Sequence, residues 1–240
     1  MRVRAFKRAA VIGSSGGVGG ALARRLADIG ASVHAFSRSG RETDDRLIAG
    51  AIDILEEETI AVAAATLAED APLDLVIVAT GLLHDEALLP EKAFRELDGA
   101  NLARYFAVNA IGPALIAKHF LPLLSRSGTP VFAALSARVG SIGDNRLGGW
   151  YGYRASKAAL NMLIKTLAIE LARTRPHAIC VALHPGTVNT PLSKPFQRGV
   201  AEGRLFDPDT SAARLLEVVT GLSAHDSGSC IGWDGATIVP

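Results

Sequence analysis

Cysteine is scarce in this chain. Its 240 residues include only 2 cysteines. Cys180 and Cys230 lie far apart in apolar surroundings, without a CxxC pair or a histidine cluster nearby. A disulfide scaffold needs several bridges and a structural zinc site needs clustered ligands, so neither is predicted. We expect no metal site, two reduced cysteines in the core and a cytoplasmic location.

The chain also lacks an excess of charge of either sign. Lys and Arg number 25 and Asp and Glu 24, which gives a net charge of +1, so no overall field favours nucleic acid or an acidic membrane. Near the start stand Arg2, Arg4, Lys7 and Arg8, and the apolar run behind them is too short for a signal peptide. We interpret these residues as a solvated basic tail.

Long apolar runs, internal repeats and low-complexity linkers are missing as well. By our reading no apolar stretch approaches the length of a transmembrane helix. Nothing in the composition divides the chain, and 49% of its residues are hydrophobic. We therefore expect one domain over residues 1–240, with neither nucleic acid nor a membrane as a partner.

What is present is an alternation of short apolar runs with helix-length segments. The runs predict buried strands at RAAVIG, SVHAFS, LDLVIVATG, PVFAALS and AICVALHPG. Helices are predicted at residues 20–29, TIAVAAATLAE, about 100–124 with a bend at Pro113, and YRASKAALNMLIKTLAIELAR. A polar stretch separates SVHAFS from Ala51. This order predicts an α/β fold: a single-domain doubly wound parallel sheet, or Rossmann fold, with helices on both faces.

A glycine-rich turn follows the first predicted strand. The stretch VIGSSGGVGGALARRL, residues 11–26, passes from strand to glycine turn to helix. A helix N-terminus there directs free backbone N–H groups at the loop, which favours phosphate, and glycines let the backbone approach it. The literal GxGxxG spacing is missing, because the pattern is Gly13-x-x-x-Gly17-x-Gly19. Alone, the loop is compatible with either a phosphate site or a close-packing turn.

A tyrosine and a lysine stand four residues apart in the fourth predicted helix. This spacing places Tyr153 and Lys157 on one helix face, either as a surface pair or as a chemical pair. An ammonium about 4 Å from a phenol stabilises the phenolate by up to about 4 kcal/mol at an effective dielectric near 20. Desolvation opposes this effect, yet we expect the pKa of Tyr153 to move from near 10 toward neutral pH.

Together these motifs resemble the short-chain dehydrogenase/reductase family from end to end. The glycine turn is similar to the family's cofactor loop, and Tyr153-x-x-x-Lys157 to its catalytic pair. Asn109 in YFAVNAIGP matches the catalytic asparagine, and HPGTVNTPL resembles the Pro-Gly loop. The run WYGYRASKAALN and the ending IGWDG are most similar to the C-factor-like and sniffer-like carbonyl reductase branch.

The resemblance implies which residues bind a nicotinamide dinucleotide. Asp53 corresponds to the aspartate at the adenine, and Val188 and Thr190 to the contacts of the carboxamide. The complete implied set is Gly13, Ser15, Gly17, Val18, Gly19, Ser37, Arg38, Asp53, Ile54, Gly81, Tyr153, Lys157, Pro185, Gly186, Val188 and Thr190. Residues 192–206 correspond to the family's mobile substrate lid.

The resemblance also implies a reaction. Hydride passes between the nicotinamide and a carbonyl or alcohol substrate of low molecular weight, and Tyr153 acts as the general acid or base. Lys157 lowers the tyrosine pKa and holds the ribose, and Asn109 maintains a water chain for the proton. Self-association into a homo-oligomer is compatible with the resemblance, but the sequence does not decide it.

Cofactor choice is predicted from the end of the second strand. SVHAFSRSG ends in Ser37 and Arg38 and has no acidic residue there. A carboxylate at this place accepts hydrogen bonds from the ribose of NAD, whereas an arginine pairs with the 2′-phosphate of NADP. NADP(H) is therefore expected in preference to NAD(H), unless Arg38 merely faces solvent.

The chain departs from the family's pattern in three places. Ile12 replaces a threonine, and Ala79-Thr80-Gly81 replaces Asn-Ala-Gly. The third departure concerns the catalytic serine: Ser-Ser-x-x-Gly becomes Ser136-Ala137-Arg138-Val139-Gly140, which places an alanine at the catalytic position. We favour Ser136, turned toward the nicotinamide by a bulge at the strand end. Ser141, or a site without any serine, remains open.

Two other classes of function are compatible with parts of the sequence. A dinucleotide-binding sensor has the same fold but has no need of Tyr153, Lys157 and Asn109 together. A methyltransferase also uses a glycine loop, but it has no use for the Tyr–Lys pair or the Pro-Gly loop. The complete set of motifs favours the oxidoreductase.

Overall fold

The computed structural model describes residues 6–42 and 44–240, so Arg2 and Arg4 of the expected basic tail lie outside it. Within the described residues, ten strands form two sheets: β1 Arg8–Ile12, β2 Ser32–Ser37, β3 Leu47–Ala51, β4 Leu75–Val78, β5 Val131–Leu135, β6 Ile179–His184, β7 Thr187–Val188, β8 Leu205–Phe206, β9 Cys230–Gly232 and β10 Thr237–Ile238. The larger sheet has the order β10-β9-β6-β5-β4-β1-β2-β3. Its strand pairs are parallel except for β9 with β10.

Helices cover both faces of this sheet. They are α1 Gly17–Asp28, α2 Glu57–Ala68, α3 Gly99–Phe106, α4 Gly112–Phe120, α5 Tyr151–Ala172 and α6 Pro208–Gly221. On one face Leu22 of α1 and Leu215 of α6 pack against the strands. On the other face Ile60 of α2, Ile116 of α4 and Leu160 of α5 do so. The predicted doubly wound α/β fold is confirmed.

The strand order places a crevice at one edge of the sheet. Strand β1 pairs with β2 on one side and with β4 on the other. The chain leaves the carboxyl ends of β1 and β4 toward opposite sides of the sheet. The loops that follow these two strands therefore diverge and leave a gap between them. Ligands of open α/β sheets bind at such a switch point, beyond the carboxyl ends of the strands. Gly13 and Ala79 stand at these two strand ends.

Two elements differ from the sequence-based expectation. The polar stretch before Ala51 contains an additional strand, β3, which pairs in parallel with β2 at the sheet edge. Most of its residues are exposed, so it lacks the apolar pattern of the buried strands. Helix α1 begins at Gly17 instead of residue 20, because its first turn is made by the glycines themselves.

The long helix expected over residues 100–124 is continuous but irregular. A π-helical turn, Ala107–Ile111, joins α3 to α4, and Pro113 lies in the first turn of α4 rather than at a bend in a regular helix. Such π turns are frequent at functional sites, and this one contains Asn109.

The same helical run corrects our expectation that no apolar stretch approaches the length of a transmembrane helix. Gly99–Leu123 is long and apolar enough to cross a membrane by length and composition alone. Core helices of soluble proteins meet this criterion too, and here Tyr105, Ile116 and Phe120 are completely buried against the rest of the fold.

Arg8 was assigned wrongly to a solvated tail. It is the first residue of β1 and only 8% exposed. Its guanidinium donates to the carbonyls of Leu67 and Ala71 behind α2, and it forms an ion pair of 2.9 Å with Asp70. Arg8 Nε also donates to His34 Nε2 over 3.3 Å. A buried guanidinium needs such partners, and the carbonyls at the end of α2 need donors.

We therefore expect Arg8→Met to lower the free energy of unfolding by about 2–3 kcal/mol, since the buried Leu67 carbonyl and the partly buried Ala71 carbonyl lose a charged donor. Thermal or denaturant unfolding measures the change. Lys7→Met is the matched control, because Lys7 is exposed, and it is expected to change stability by less than about 0.5 kcal/mol. Equal stability of the two variants would contradict this assignment of Arg8.

Candidate active site

The glycine turn is built by close backbone approach. Gly13 has φ +92, and its N–H donates to the Phe36 carbonyl over 2.8 Å. A Cβ on Gly19 would lie 2.2 Å from the Gly13 carbonyl oxygen, and one on Gly17 would lie 2.7 Å from Thr190 Cγ2. Glycine is therefore required at both positions, and the start of α1 presents bare backbone to the crevice.

A cleft of about 540 Å³ opens beside this turn. Seven of the implied cofactor residues line it, namely Gly13, Ser15, Ser37, Arg38, Asp53, Ile54 and Gly81. The other nine, with Tyr153 and Lys157 among them, do not line it. Val18 packs on the core and Gly19 is buried, while Thr190 joins the Pro-Gly loop to the turn through its contact with Gly17.

The cleft also contains a buried polar atom that lacks a partner. Thr80 Oγ1 makes no hydrogen bond to any described residue, although Thr80 lines the cleft. A Cβ on Gly13 would lie 3.1 Å from Thr80 Cγ2, so the threonine faces the glycine turn. A buried hydroxyl without a partner is costly. The bare backbone, Arg38, Asp53 and this hydroxyl together fit a phosphorylated dinucleotide.

Asn109 and Lys157 do not line the cleft, but both lie close to Gly81, which does. A Cβ on Gly81 would lie 3.7 Å from Asn109 Oδ1 and 3.8 Å from Lys157 Nζ. Asn109 Oδ1 accepts from the Leu82 N–H over 2.8 Å, and its Nδ2 donates to Leu82 O and to Ser156 Oγ. Lys157 Nζ donates to the Leu135 carbonyl over 2.8 Å. The loop after β4 is thereby joined to α5.

Tyr153 stands in an apolar cluster, with a pKa that differs from our expectation. Its ring packs with Tyr105 and Trp150, and Lys157 Nζ lies 6.0 Å from the ring centroid. Burial raises the pKa of Tyr153 to about 12 and lowers the pKa of Lys157 to about 8. The expected fall of the tyrosine pKa is wrong for this state, because desolvation outweighs the attraction of the ammonium.

Ser136 does not turn toward the cleft. It continues the alternation of β5, on the same face as Phe132 and Ala134, and its Oγ donates to Asn161 Oδ1 of α5 over 2.7 Å. Ala137, the next residue, packs against the cluster around Tyr153. The bulge that we expected would have reversed these two directions. Ser141 Oγ accepts from the Asp144 N–H over 3.0 Å in the following loop.

The Pro-Gly loop continues into an ordered segment. The Pro185 carbonyl accepts from Ser211 Oγ over 2.8 Å, and Gly186 has φ +79 in contact with Phe206. Val188 belongs to β7, which pairs with β8. Residues 192–206 thus contain a 3₁₀ turn, Lys194–Gly199, and the strand β8. Their role as a lid remains a prediction.

Sequence reasoning missed several residues of this region. His84 Nε2 lies 3.1 Å from the Pro191 carbonyl and contacts Phe196. Glu91 is a buried carboxylate below the start of α5. Their signal is weak, since each is a single polar residue in a loop. His184, at the end of β6, has a pKa lowered to about 4 by burial and by Arg138.

These features define a class: an oxidoreductase of the doubly wound fold that uses a nicotinamide dinucleotide. The family model for short chain dehydrogenases matches residues 7–201, and the chain belongs to that family. It is 35% identical over 147 residues to C-signal of Myxococcus xanthus, covering 61% of this chain and 82% of that protein. It is 30% identical over 229 residues to the 1-hydroxy-2-glutathionyl-2-methyl-3-butene dehydrogenase of Rhodococcus sp. (strain AD45), covering 94% and 96% of the two chains.

Solved structures share the fold. An NADPH-bound carbonyl reductase from chicken fatty liver superposes with a TM-score of 0.84 at 23% identity, over 98% of this chain and 94% of that one. The carbonyl reductase Sniffer of D. melanogaster gives a TM-score of 0.84 at 21% identity, over 98% and 99%. The family recognised from the motifs is confirmed, and the chain is an enzyme of that family.

The buried lysine leads to a stability prediction. Lys157 has a folded pKa of about 8, below its usual 10.5, so its charged form costs stability below pH 8 and the cost disappears as the pH rises from 8 to 10.5. We expect Lys157→Met to increase the unfolding free energy at pH 7 by about 1–3 kcal/mol, after allowing for the lost hydrogen bond to Leu135.

Denaturant unfolding without cofactor at pH 7 and at pH 10 measures this effect. The advantage of Lys157→Met over the unmodified chain should shrink at the higher pH. A variant that is less stable at pH 7, or an advantage that grows with pH, would show that the lysine charge is well solvated or paired.

Proposed function

We propose that this enzyme is an NADPH-dependent carbonyl reductase in which Tyr153 donates the proton. The observation that carries the proposal is a buried phenol, Tyr153, whose ring centroid lies 6.0 Å from Lys157 Nζ, while Lys157 and Asn109 both lie close to Gly81 of the cleft. Burial raises the pKa of Tyr153 to about 12, which favours its acid form, as the ordinary value near 10 also does at neutral pH. That form serves reduction of a carbonyl, whereas oxidation of an alcohol requires the phenolate.

The glycine turn and three further residues of the cleft would hold the cofactor. The glycine turn would offer its N–H groups to the pyrophosphate, Asp53 would contact the adenine, and Arg38 is exposed at the end of β2. Thr80 lines the same cleft, and its buried hydroxyl lacks a partner among the described residues. Bound NADPH supplies the hydride. The NADPH-bound carbonyl reductase that shares this fold supports the choice of cofactor.

On the protein side, the reaction requires a proton and its replacement. Tyr153 donates its hydroxyl proton to the carbonyl oxygen as the alkoxide charge develops. Lys157, with a pKa of about 8, then stabilises the resulting phenolate in its charged form and can return a proton. Asn109 fixes Leu82 and the start of α5, so the walls around the hydroxyl are held in place.

The first test removes the acid. Phenylalanine at position 153 keeps the ring and its contacts with Trp150 and Tyr105, so Tyr153→Phe should bind NADPH within about threefold of normal while kcat falls by about 10²-fold or more. Loss of NADPH absorbance with a panel of aldehydes, ketones and quinones measures turnover. A near-normal kcat would exclude Tyr153 as the acid, and NADPH binding without any turnover of the unmodified chain would favour a sensor.

Serine variants belong to the same series. Because Ser136 is engaged by Asn161 and Ala137 lies next to the tyrosine cluster, we propose that no serine polarises the carbonyl. Ser136→Ala and Ser141→Ala should then each keep kcat within about fivefold. A loss of 10²-fold in one of them would assign the oxyanion donor to that serine.

The second test concerns cofactor choice. We propose that Arg38 binds the 2′-phosphate, so NADPH should bind at least about tenfold more tightly than NADH. Ser37→Asp together with Arg38→Leu should reverse the order, because a carboxylate accepts hydrogen bonds from the free ribose hydroxyls. Titration calorimetry with both cofactors measures the ratio. Equal or tighter binding of NADH by the unmodified chain would contradict the assignment.

A further inference from the structure

Trp150 adopts a backbone conformation that bulky residues avoid. Its φ and ψ are 53 and 43, in the left-handed region, and among the described residues other than glycine it alone has positive φ. Gly148 and Gly149 before it are left-handed as well, with φ +63 and +65. A tryptophan persists in such a conformation only where its surroundings impose it, and such outliers cluster at functional sites.

A buried glutamate imposes the conformation. The Glu91 carbonyl accepts from the Trp150 N–H, and Glu91 Oε2 accepts from the Gly152 N–H over 3.1 Å. Arg154 Nε donates to the Gly149 carbonyl over 3.0 Å. Glu91 is 3% exposed, and its Oε1 lacks a partner among the described residues. Burying a carboxylate is costly, so the hydrogen bonds that Glu91 makes at the start of α5 indicate a functional role for this arrangement.

The Glu91 hydrogen bonds hold Trp150 in an aromatic wall beside Tyr153. We define the aromatic wall as Trp150 and Phe196, whose ring centroids lie 5.0 Å apart in an edge-to-face arrangement. The indole also lies 6.2 Å from the Tyr153 ring. The other apolar and aromatic side chains grouped with Tyr153 are Leu82, Leu83, Leu88, Tyr105, Ala137 and Val139, and Lys157 Nζ lies 6.0 Å from its ring centroid.

We propose that Trp150 determines substrate specificity, as the wall of an apolar subsite that accepts a ring-bearing carbonyl compound, and that Glu91 positions it. This inference rests on the proposed function. A polar or charged substituent would lose its hydration against these apolar side chains. An aromatic ring would meet the indole and Phe196 edge to face, which favours it beyond its apolar area. A short aliphatic carbonyl compound has no ring to place against Trp150 or Phe196, so it gains little binding free energy from this wall.

The test compares two aldehydes. In Trp150→Leu, kcat/KM for benzaldehyde should fall about tenfold or more, whereas kcat/KM for butanal should change less than threefold. Affinity for NADPH should stay within twofold in both proteins. If the two aldehydes lose efficiency equally, or benzaldehyde loses none, Trp150 does not determine specificity.

Glu91 variants separate positioning from simple support of the fold. Glu91→Leu should reproduce the benzaldehyde-to-butanal ratio of Trp150→Leu. Glu91→Gln retains an oxygen that can accept the Gly152 N–H, so it should restore at least half of the normal ratio. If both glutamate variants lower kcat/KM for benzaldehyde and for butanal alike, and also lower the free energy of unfolding, Glu91 supports the fold and does not act through Trp150.

A binding measurement keeps the inference independent of turnover. Benzyl alcohol, titrated without cofactor, should change the Trp150 fluorescence at lower concentration than butanol does. The change should persist in Trp233→Phe and disappear in Trp150→Leu. Absence of carbonyl reduction with this response intact would refute the proposed function alone, and absence of the response would refute the subsite.

Discussion

The burial of the Lys157 ammonium is the constraint on which the rest of the site depends. Lys157 is 3% exposed, and a charged group in that position destabilises the chain unless other groups surround it favourably. Its pKa falls to about 8 and that of Tyr153 rises to about 12. Both shifts follow from burial, which favours the uncharged form of each group. Stability is lost to obtain this arrangement, which is common at active sites.

The fold brings the necessary parts together because its strands change direction between β1 and β4. The glycine turn follows β1, Thr80 and Gly81 follow β4, and the π turn places Asn109 against both Leu82 and α5. Helix α5 carries Tyr153 and Lys157 on one face, one turn apart. The hydrogen bonds of Asn109 to Leu82 and Ser156 hold the loop after β4 against α5 and so fix Tyr153 relative to that loop.

Much of this could be predicted from the sequence. Short apolar runs between helical segments determine a parallel sheet, and the glycine spacing with Tyr153 and Lys157 identifies the family. Properties that depend on the surroundings could not be predicted. Arg8 looked like a tail residue because its partners Asp70 and Leu67 are distant in sequence. The pKa of Tyr153 depends on burial that no local pattern shows, and β3 is an exposed edge strand without apolar alternation. The direction of Ser136 was uncertain because a bulge at a strand end leaves no sequence signal.

In the proposed reaction, hydride passes from NADPH to a carbonyl carbon while Tyr153 supplies the proton. NADPH deuterated at the transferable C4 position, with mass analysis of the alcohol product, tests this transfer. With the unmodified enzyme the product should be one mass unit heavier, and with Tyr153→Phe the rate should fall by about 10²-fold or more. Alcohol formed without deuterium, or NADPH bound with no alcohol formed from any carbonyl in the panel, would contradict it.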